Sequence, residues 1–357
     1  MSEIKRLWDR ARILYYMLAI KAFKKKPYPF YVNLVINSRC NLKCAYCFGN
    51  YSNRQHPDWD LNDLKKLIDD LHDRGTKYIL IQGGEPFLHN DLDEIINYIC
   101  KKNIVTAIVT NGQFPERIKK IKSLSLLDNI CFSLDGNKEG NDIVRGTTSF
   151  DKVMKSIQAV KEVHKIPIRI NSTVTKYVVK DIDFMAEFVK KNKIEWGINY
   201  LFKGNEVLGE EDLAPSNEEI EKYQHKILYY KKKGYPIFTT SKILKYVLNW
   251  PVKYTQKYMN REESERRLGQ RAIECQYGAY EIVIDEDGKV YPCQGMQGLF
   301  DAKNLHEVGF DAAFEHLKTK PCYTCYIPSL MNTSAMINWD FNVIGETVFE
   351  TFRNRLK

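Results

Sequence analysis

Residues 30–48, FYVNLVINSRCNLKCAYCF, run from an apolar strand-like segment straight into three cysteines, Cys40, Cys44 and Cys47. The intervals of three and then two residues are too tight for a mutual disulfide network, and they differ from the paired spacing of a zinc finger. Three thiolates on one short loop can ligate three irons of a four-iron cluster and leave the fourth open to a small molecule. A structural zinc site, or three incidental thiols, is the plainer alternative. A second turn, formed by Gly83, Gly84, Glu85 and Pro86, closes the apolar run YILIQ.

Outward from these two turns the chain alternates. Strand-like runs fall at residues 30–37, 77–82, 104–110, 130–134, 168–174 and 194–200. Helix-like stretches fall between them at 61–74, 92–102, 150–164 and 181–191. This alternation predicts right-handed crossovers and a parallel sheet, with the site at the carboxyl ends of the strands, where both turns lie.

Taken together and in this order, the loop CNLKCAYCF and the turn GGEP resemble the radical S-adenosylmethionine (radical SAM) enzymes. The resemblance implies an α/β fold built on a partial (β/α)6 barrel. It implies a four-iron cluster on Cys40, Cys44 and Cys47 whose open iron chelates SAM. Reductive cleavage of SAM then gives a 5'-deoxyadenosyl radical that abstracts hydrogen from an unactivated carbon. By the same resemblance Gly83, Gly84 and Glu85 contact the methionine part of SAM, Glu85 through its ammonium group. Ser133, Asp135 and Asn171 are similar to positions reaching the ribose or carboxylate, Arg145 to the arginine pairing with the SAM carboxylate, and Tyr46 to the aromatic beside adenine. Strand-end capping accounts equally for Ser133, Asp135 and Asn171, as loop packing does for Tyr46. No catalytic side chain is assigned. A flavodoxin or ferredoxin is the implied electron donor.

A second set of cysteines lies toward the other end. Cys275 and Cys293 flank a hairpin-like run, GAYEIVIDEDGKVYP, with Asp287 and Gly288 at its turn, and Cys322 and Cys325 follow in PCYTC. This pattern resembles the auxiliary-cluster extension of radical SAM enzymes. With four cysteines in place of the seven of a full SPASM domain, it resembles the shorter twitch variant carrying one auxiliary 4Fe-4S cluster. Four cysteines saturate such a cluster, so its expected work is electron transfer, favouring an oxidation or a bond-forming reaction that ends in one. A four-cysteine zinc site has the same ligand count. Cys100 and Cys131 sit in apolar runs as small hydrophobes, and the seven histidines are scattered singly.

The expected organisation is a basic amphipathic helix over 1–29, the barrel over 30–204, a helical linker over 205–270, an α+β auxiliary-cluster region over 271–335 and a C-terminal helix over 336–357. A chain of 357 residues, 44% hydrophobic, can bury a core of this size. Nine cysteines with no signal peptide point to a reducing, cytoplasmic setting, and no apolar run is long enough to span a membrane. The formal charge of +9 is moderate, and no nucleic-acid partner is expected.

Ile4, Leu7, Trp8, Ala11, Leu14, Tyr15 and Leu18 share a helical face, surrounded by Lys5, Arg6, Arg10, Arg12, Lys21, Lys24, Lys25 and Lys26. Such a helix suits peripheral contact of residues 1–26 with an anionic membrane, and equally well packing on the barrel. The preferred expectation is a hydrophobic, lipid-like substrate. The alternatives are a peptide-modifying maturase, a sugar or aminoglycoside alcohol dehydrogenase of the same superfamily, and a noncatalytic metal-binding scaffold.

Overall fold

The computed structural model describes residues 3–23, 26–54, 56–201, 213–254 and 256–353. Six strands, β1 (Tyr31–Val35), β2 (Tyr78–Gln82), β3 (Val105–Thr110), β4 (Asn129–Ser133), β5 (Ile168–Val174) and β6 (Glu195–Tyr200), pair in parallel in chain order. Helices lie in every connection. The principal ones are Leu61–Asp73, Leu92–Lys101, Ser149–Ala159 and Ile182–Asn192, each within a residue or a few of its sequence-predicted span. The third of these predicted helices, 150–164, ends in a turn of π-helix at Val160–His164.

The two faces of the sheet differ in chemistry because strand side chains alternate. Along β5 and β6 the apolar members Ile168, Ile170, Trp196 and Ile198 are buried, and Trp196 also donates to Ser172 Oγ at 2.9 Å. With Ile79, Ile81, Ile130 and Phe132 they form the main core with the crossover helices. The intervening residues Arg169, Asn171, Thr173, Glu195, Gly197 and Asn199 line an internal cavity instead.

The C-terminal half joins this sheet. The sequence-predicted hairpin is formed by β8 (Glu281–Ile284) and β9 (Lys289–Tyr291), with Gly288 at φ +86 in the turn, and β8 pairs in parallel with β1. With β10 (Lys303–Asn304) the order becomes β10-β9-β8-β1-β2-β3-β4-β5-β6, so the hairpin extends the barrel sheet. A small separate ladder pairs β7 (Tyr258–Met259) with β11 (Thr324–Cys325). The predicted linker contains the helices Asn217–Lys232, Ser241–Leu248 and Arg261–Arg267, and its residues 205–212 lie outside the described residues. The tail forms two helices, Pro328–Ile337 and Phe341–Arg353, where the sequence reading gives one beginning at 336.

The N-terminal helix, Glu3–Ala22, departs from the membrane expectation in its charges. Arg6 is buried and donates to the carbonyls of Leu127 and Ser125. Arg10 forks onto Asp128, and Arg12 reaches Asp9 and the Asn103 carbonyl. Three of the eight basic residues thus hold the helix under the amino-terminal ends of β3 and β4. Met17 and Ile20 are buried, whereas Ile4, Trp8 and Tyr15 of the apolar stripe are 71%, 72% and 61% exposed. Lys24 and Lys25 lie outside the described residues. Among the described residues no helix is long and apolar enough to cross a membrane.

Replacing Trp196 with Ala removes a fully buried indole and its hydrogen bond. The expected loss is about 3–5 kcal/mol of unfolding free energy, read from urea denaturation of the two chains.

Candidate active site

The cysteine loop and the glycine turn are locked to each other by backbone. Gly84 N donates to Asn37 O at 2.9 Å and Glu85 N to Arg39 O at 2.8 Å, while Asn37 Nδ2 donates to Glu85 O at 3.0 Å. Neither glycine tolerates a side chain. A Cβ on Gly83 would stand 2.0 Å from Asn37 Oδ1, and one on Gly84 would stand 2.5 Å from the carbonyl oxygens of both Ser38 and Arg39.

Glu85 differs from the expectation in where its carboxylate points. It accepts from Thr110 Oγ1 and the Asn111 amide, both at 2.7 Å, and from the Phe87 amide at 3.1 Å. Burial pushes its pKa up to about 7 in spite of these donors. The side chain therefore ties the end of β3 to the turn, and the turn's backbone is what it presents to the cavity.

Tyr46, Asp135 and Arg145 come together beside Cys44. Both the Tyr46 hydroxyl and Arg145 Nε donate to Asp135 Oδ2, and the Thr173 amide donates to Asp135 Oδ1 at 2.7 Å. Arg145 Nη1 lies 3.9 Å from Cys44 Sγ, and its guanidinium stands 5.4 Å from the Tyr46 ring centre. Burial works against the charge on Arg145, but Asp135 and Tyr46 outweigh it and raise its pKa. Its first partner is thus Asp135, where the sequence reading gives the SAM carboxylate. Ser133 and Asn171 are opposite each other on β4 and β5 and both line the cavity. Gly197 is opposite Asn171 on β6, where a Cβ would stand 3.0 Å from Asn171 Oδ1.

The sequence reading missed Asn111. Its Nδ2 lies 3.8 Å from Cys40 Sγ and 2.9 Å from Asn41 Oδ1. It directly follows β3, so the strand-end rule applied to every strand would have found it. Glu281 was also missed. It is buried on β8 and its Oε1 accepts from Asn33 Nδ2 at 3.2 Å. Nothing in the local sequence EIVI marks it, because its neighbours come from β1.

One cavity of about 750 Å³ connects these groups. Its upper wall holds Cys40, Cys44, Cys47 and the glycine turn, and its side wall holds Glu281, Cys293 and Gln294. Its lower end is lined by Trp8, Ala11 and Leu14 of the N-terminal helix and by Val348 and Thr351 of the last helix.

Each cysteine set fits an iron–sulfur cluster by chemistry and surroundings. In the loop, burial pushes the Cys40 thiol up to about 12 and the Cys44 thiol up to about 11, and each sulfur lies close enough to its neighbours to act on them electrostatically. In the C-terminal set the Cys275 amide donates to Tyr323 O at 2.8 Å, bringing Cys275 to the Cys322–Cys325 segment. All four of these cysteines share one apolar cluster. Burial and then Cys275 raise Cys322 to about 11. Among the described residues no three His, Cys, Asp or Glu side chains close on one point as the ligands of a single ion would.

A sequential parallel sheet thus carries a three-cysteine loop locked to a glycine turn at the carboxyl ends of its strands. Residues 34–189 match the model of the Radical SAM superfamily, so the chain carries a radical SAM domain. It is 27% identical over 297 residues to the antilisterial bacteriocin subtilosin biosynthesis protein AlbA of Bacillus subtilis, covering 81% of this chain and 60% of that one. It is 30% identical over 207 residues to the Fe-coproporphyrin III synthase of Methanosarcina barkeri, covering 56% of this chain and 51% of that one. The chain therefore spans less than two thirds of these relatives' lengths. Its fold is that of Streptococcus suis SuiB, solved bound to precursor peptide SuiA, with a TM-score of 0.61, 19% identity and coverage of 85% and 69%. The radical SAM match brings SAM and a four-iron cluster to the three-cysteine loop; SPASM-type relatives carry an additional cluster, and the C-terminal part of this chain holds four cysteines.

Two expectations follow. A Gly84→Ala chain should lose iron and SAM binding together, measured by iron analysis and calorimetry, because the added methyl forces the cysteine loop away. Burial raises Glu281 to about 8, against hydrogen bonds from Tyr277 and Asn33 that lower it. The folded chain thus keeps a proton that the unfolded chain releases above about 4.5. Unfolding free energy should fall as pH rises from about 4.5 to 8, and Glu281→Gln should flatten that slope in denaturation curves taken across the range.

Proposed function

We propose that this chain abstracts hydrogen from a substrate held in the barrel cavity and completes the reaction by passing an electron to a cluster on Cys275, Cys293, Cys322 and Cys325. The observation that carries this reading is that the cysteine loop and Cys293 face the same cavity. Bound there, the reduced cluster of Cys40, Cys44 and Cys47 with SAM supplies a 5'-deoxyadenosyl radical. The chain's own contribution is positioning. Gly83 and Gly84 let the turn pack against the cysteine loop, Arg145 and Asp135 fix the Cys44 side, and Ser133, Asn171 and Thr173 line the substrate space.

For the substrate we propose a peptide. AlbA supports this, because it is named for bacteriocin biosynthesis and its match covers 81% of this chain. One observation favours a second reading, a lipid-like substrate. Leu7, Trp8, Ala11, Leu14 and Val348 of the first and last helices bring apolar surface to the cavity beside Arg10, Thr347 and Glu350, and Trp8 is exposed.

Anaerobically reconstituted protein should form 5'-deoxyadenosine under strong reduction, and Cys40→Ala, Cys44→Ala and Cys47→Ala together should abolish it. Cys322→Ala with Cys325→Ala should lower iron content while leaving SAM cleavage in place. Persistent deoxyadenosine in the first variant sinks the loop assignment, and unchanged iron, or zinc in place of iron, sinks the second. Stimulation by a peptide fraction but not by a lipid extract supports the peptide reading, and the reverse supports the lipid one.

A further inference from the structure

A lysine reaches the backbone that carries the C-terminal cysteines. Lys320 lies two residues before Cys322, and its ammonium donates to the carbonyls of Cys275, at 3.1 Å, and of Tyr277. Its stem crosses the loop at Gly278, which has φ +83. A Cβ there would stand 3.5 Å from Lys320 Cδ and 3.0 Å from Cβ of Pro292, the residue before Cys293. The glycine thus makes the space through which the lysine enters, between the segment carrying Cys275 and the strand leading to Cys293.

Among the described residues no carboxylate forms an ion pair with Lys320. A partly buried cation satisfied only by neutral carbonyls is costly unless an anion lies close by. Four thiolates on a cluster are such an anion.

We infer that Lys320 is the built-in counter-ion of the C-terminal cysteine site and raises the reduction potential of the cluster held there. The inference rests on the reading that these cysteines hold an iron–sulfur cluster. Taking up one electron adds one negative charge to the cluster, and a fixed positive charge nearby stabilises the reduced form more than the oxidised one. Lys320 is then a positioning residue, acting through the cluster without touching substrate. It favours electron flow from a substrate radical, which is oxidised, to the cluster, which is reduced.

The test uses the full chain carrying Cys40→Ala, Cys44→Ala and Cys47→Ala, loaded anaerobically with iron and sulfide so that only the C-terminal cluster is present. Its midpoint potential is read by redox titration followed by electron paramagnetic resonance, alone and with Lys320→Met or Lys320→Arg. The Met variant should shift to a lower potential, and the Arg variant should stay near the parent. A Met variant that loses its cluster while the Arg variant keeps it also supports the counter-ion role. An unchanged potential in the Met variant, an equal fall in both variants, or loss of the cluster from both overturns it. A parent chain that takes up no iron overturns the underlying cluster reading together with this one.

Discussion

The active site depends on how closely two pieces of backbone approach. The cysteine loop and the glycine turn touch carbonyl to Cα, with Gly84 packed against the carbonyl oxygens of Ser38 and Arg39 and bonded to Asn37. No side chain fits between them, so the loop cannot move without the turn. Glu85 extends the same constraint to β3 through Thr110 and Asn111. Asn37, three residues before Cys40, donates back to the Glu85 carbonyl. The result is a loop rich in cysteines that is nonetheless fixed on three strand ends, as pre-organised ligation requires.

The barrel interior obeys a different rule. In a closed eight-stranded barrel the inward side chains fill the centre. Here Asn33, Gln82, Asn171, Arg169 and Glu195 leave a cavity, and the apolar burial that stabilises the sheet is moved to its outer face. The inward groups are mostly paired with one another. Gln294 donates to Gln82, Gln82 to Asn33, and Asn33 to Glu281, crossing from the C-terminal region into the barrel. Buried polar side chains paired in this way are compatible with an open interior, because few are left seeking water.

Much of this was legible in the sequence, and for local reasons. The six strands and their helices announce themselves by periodicity, and the two turns carry their chemistry in consecutive residues. What was not legible comes from long-range pairing. Arg145 falls on Asp135, and Glu85 on Thr110 and Asn111, because strand ends converge. Neither partner can be chosen from spacing alone, so resemblance assigned both residues to a ligand. Arg6 and Arg10 read as a solvated basic face until their partners at Leu127 and Asp128 are known. Lys320 sits among lysines in the run KTKPC and stands out only once Cys275 and Tyr277 are folded against it.

The pairing of β8 with β1 decides how the two cysteine sets can work together. Were the C-terminal region a free module on a linker, the separation of its cysteines from the loop would vary with domain motion. Instead the strand leading into the cysteine loop is itself the neighbour of β8. The loop's far end is fastened to the hairpin as well. Arg54 bridges Asp285 at 2.9 Å and Glu286 at 2.8 Å, and Tyr51 packs with Val283 and Tyr291 in one cluster. The cysteine loop and Cys293 thus stand on two walls of one continuous sheet. Under the proposed function, an electron passing from a substrate in the cavity toward Cys293 would cross a gap set by strand pairing.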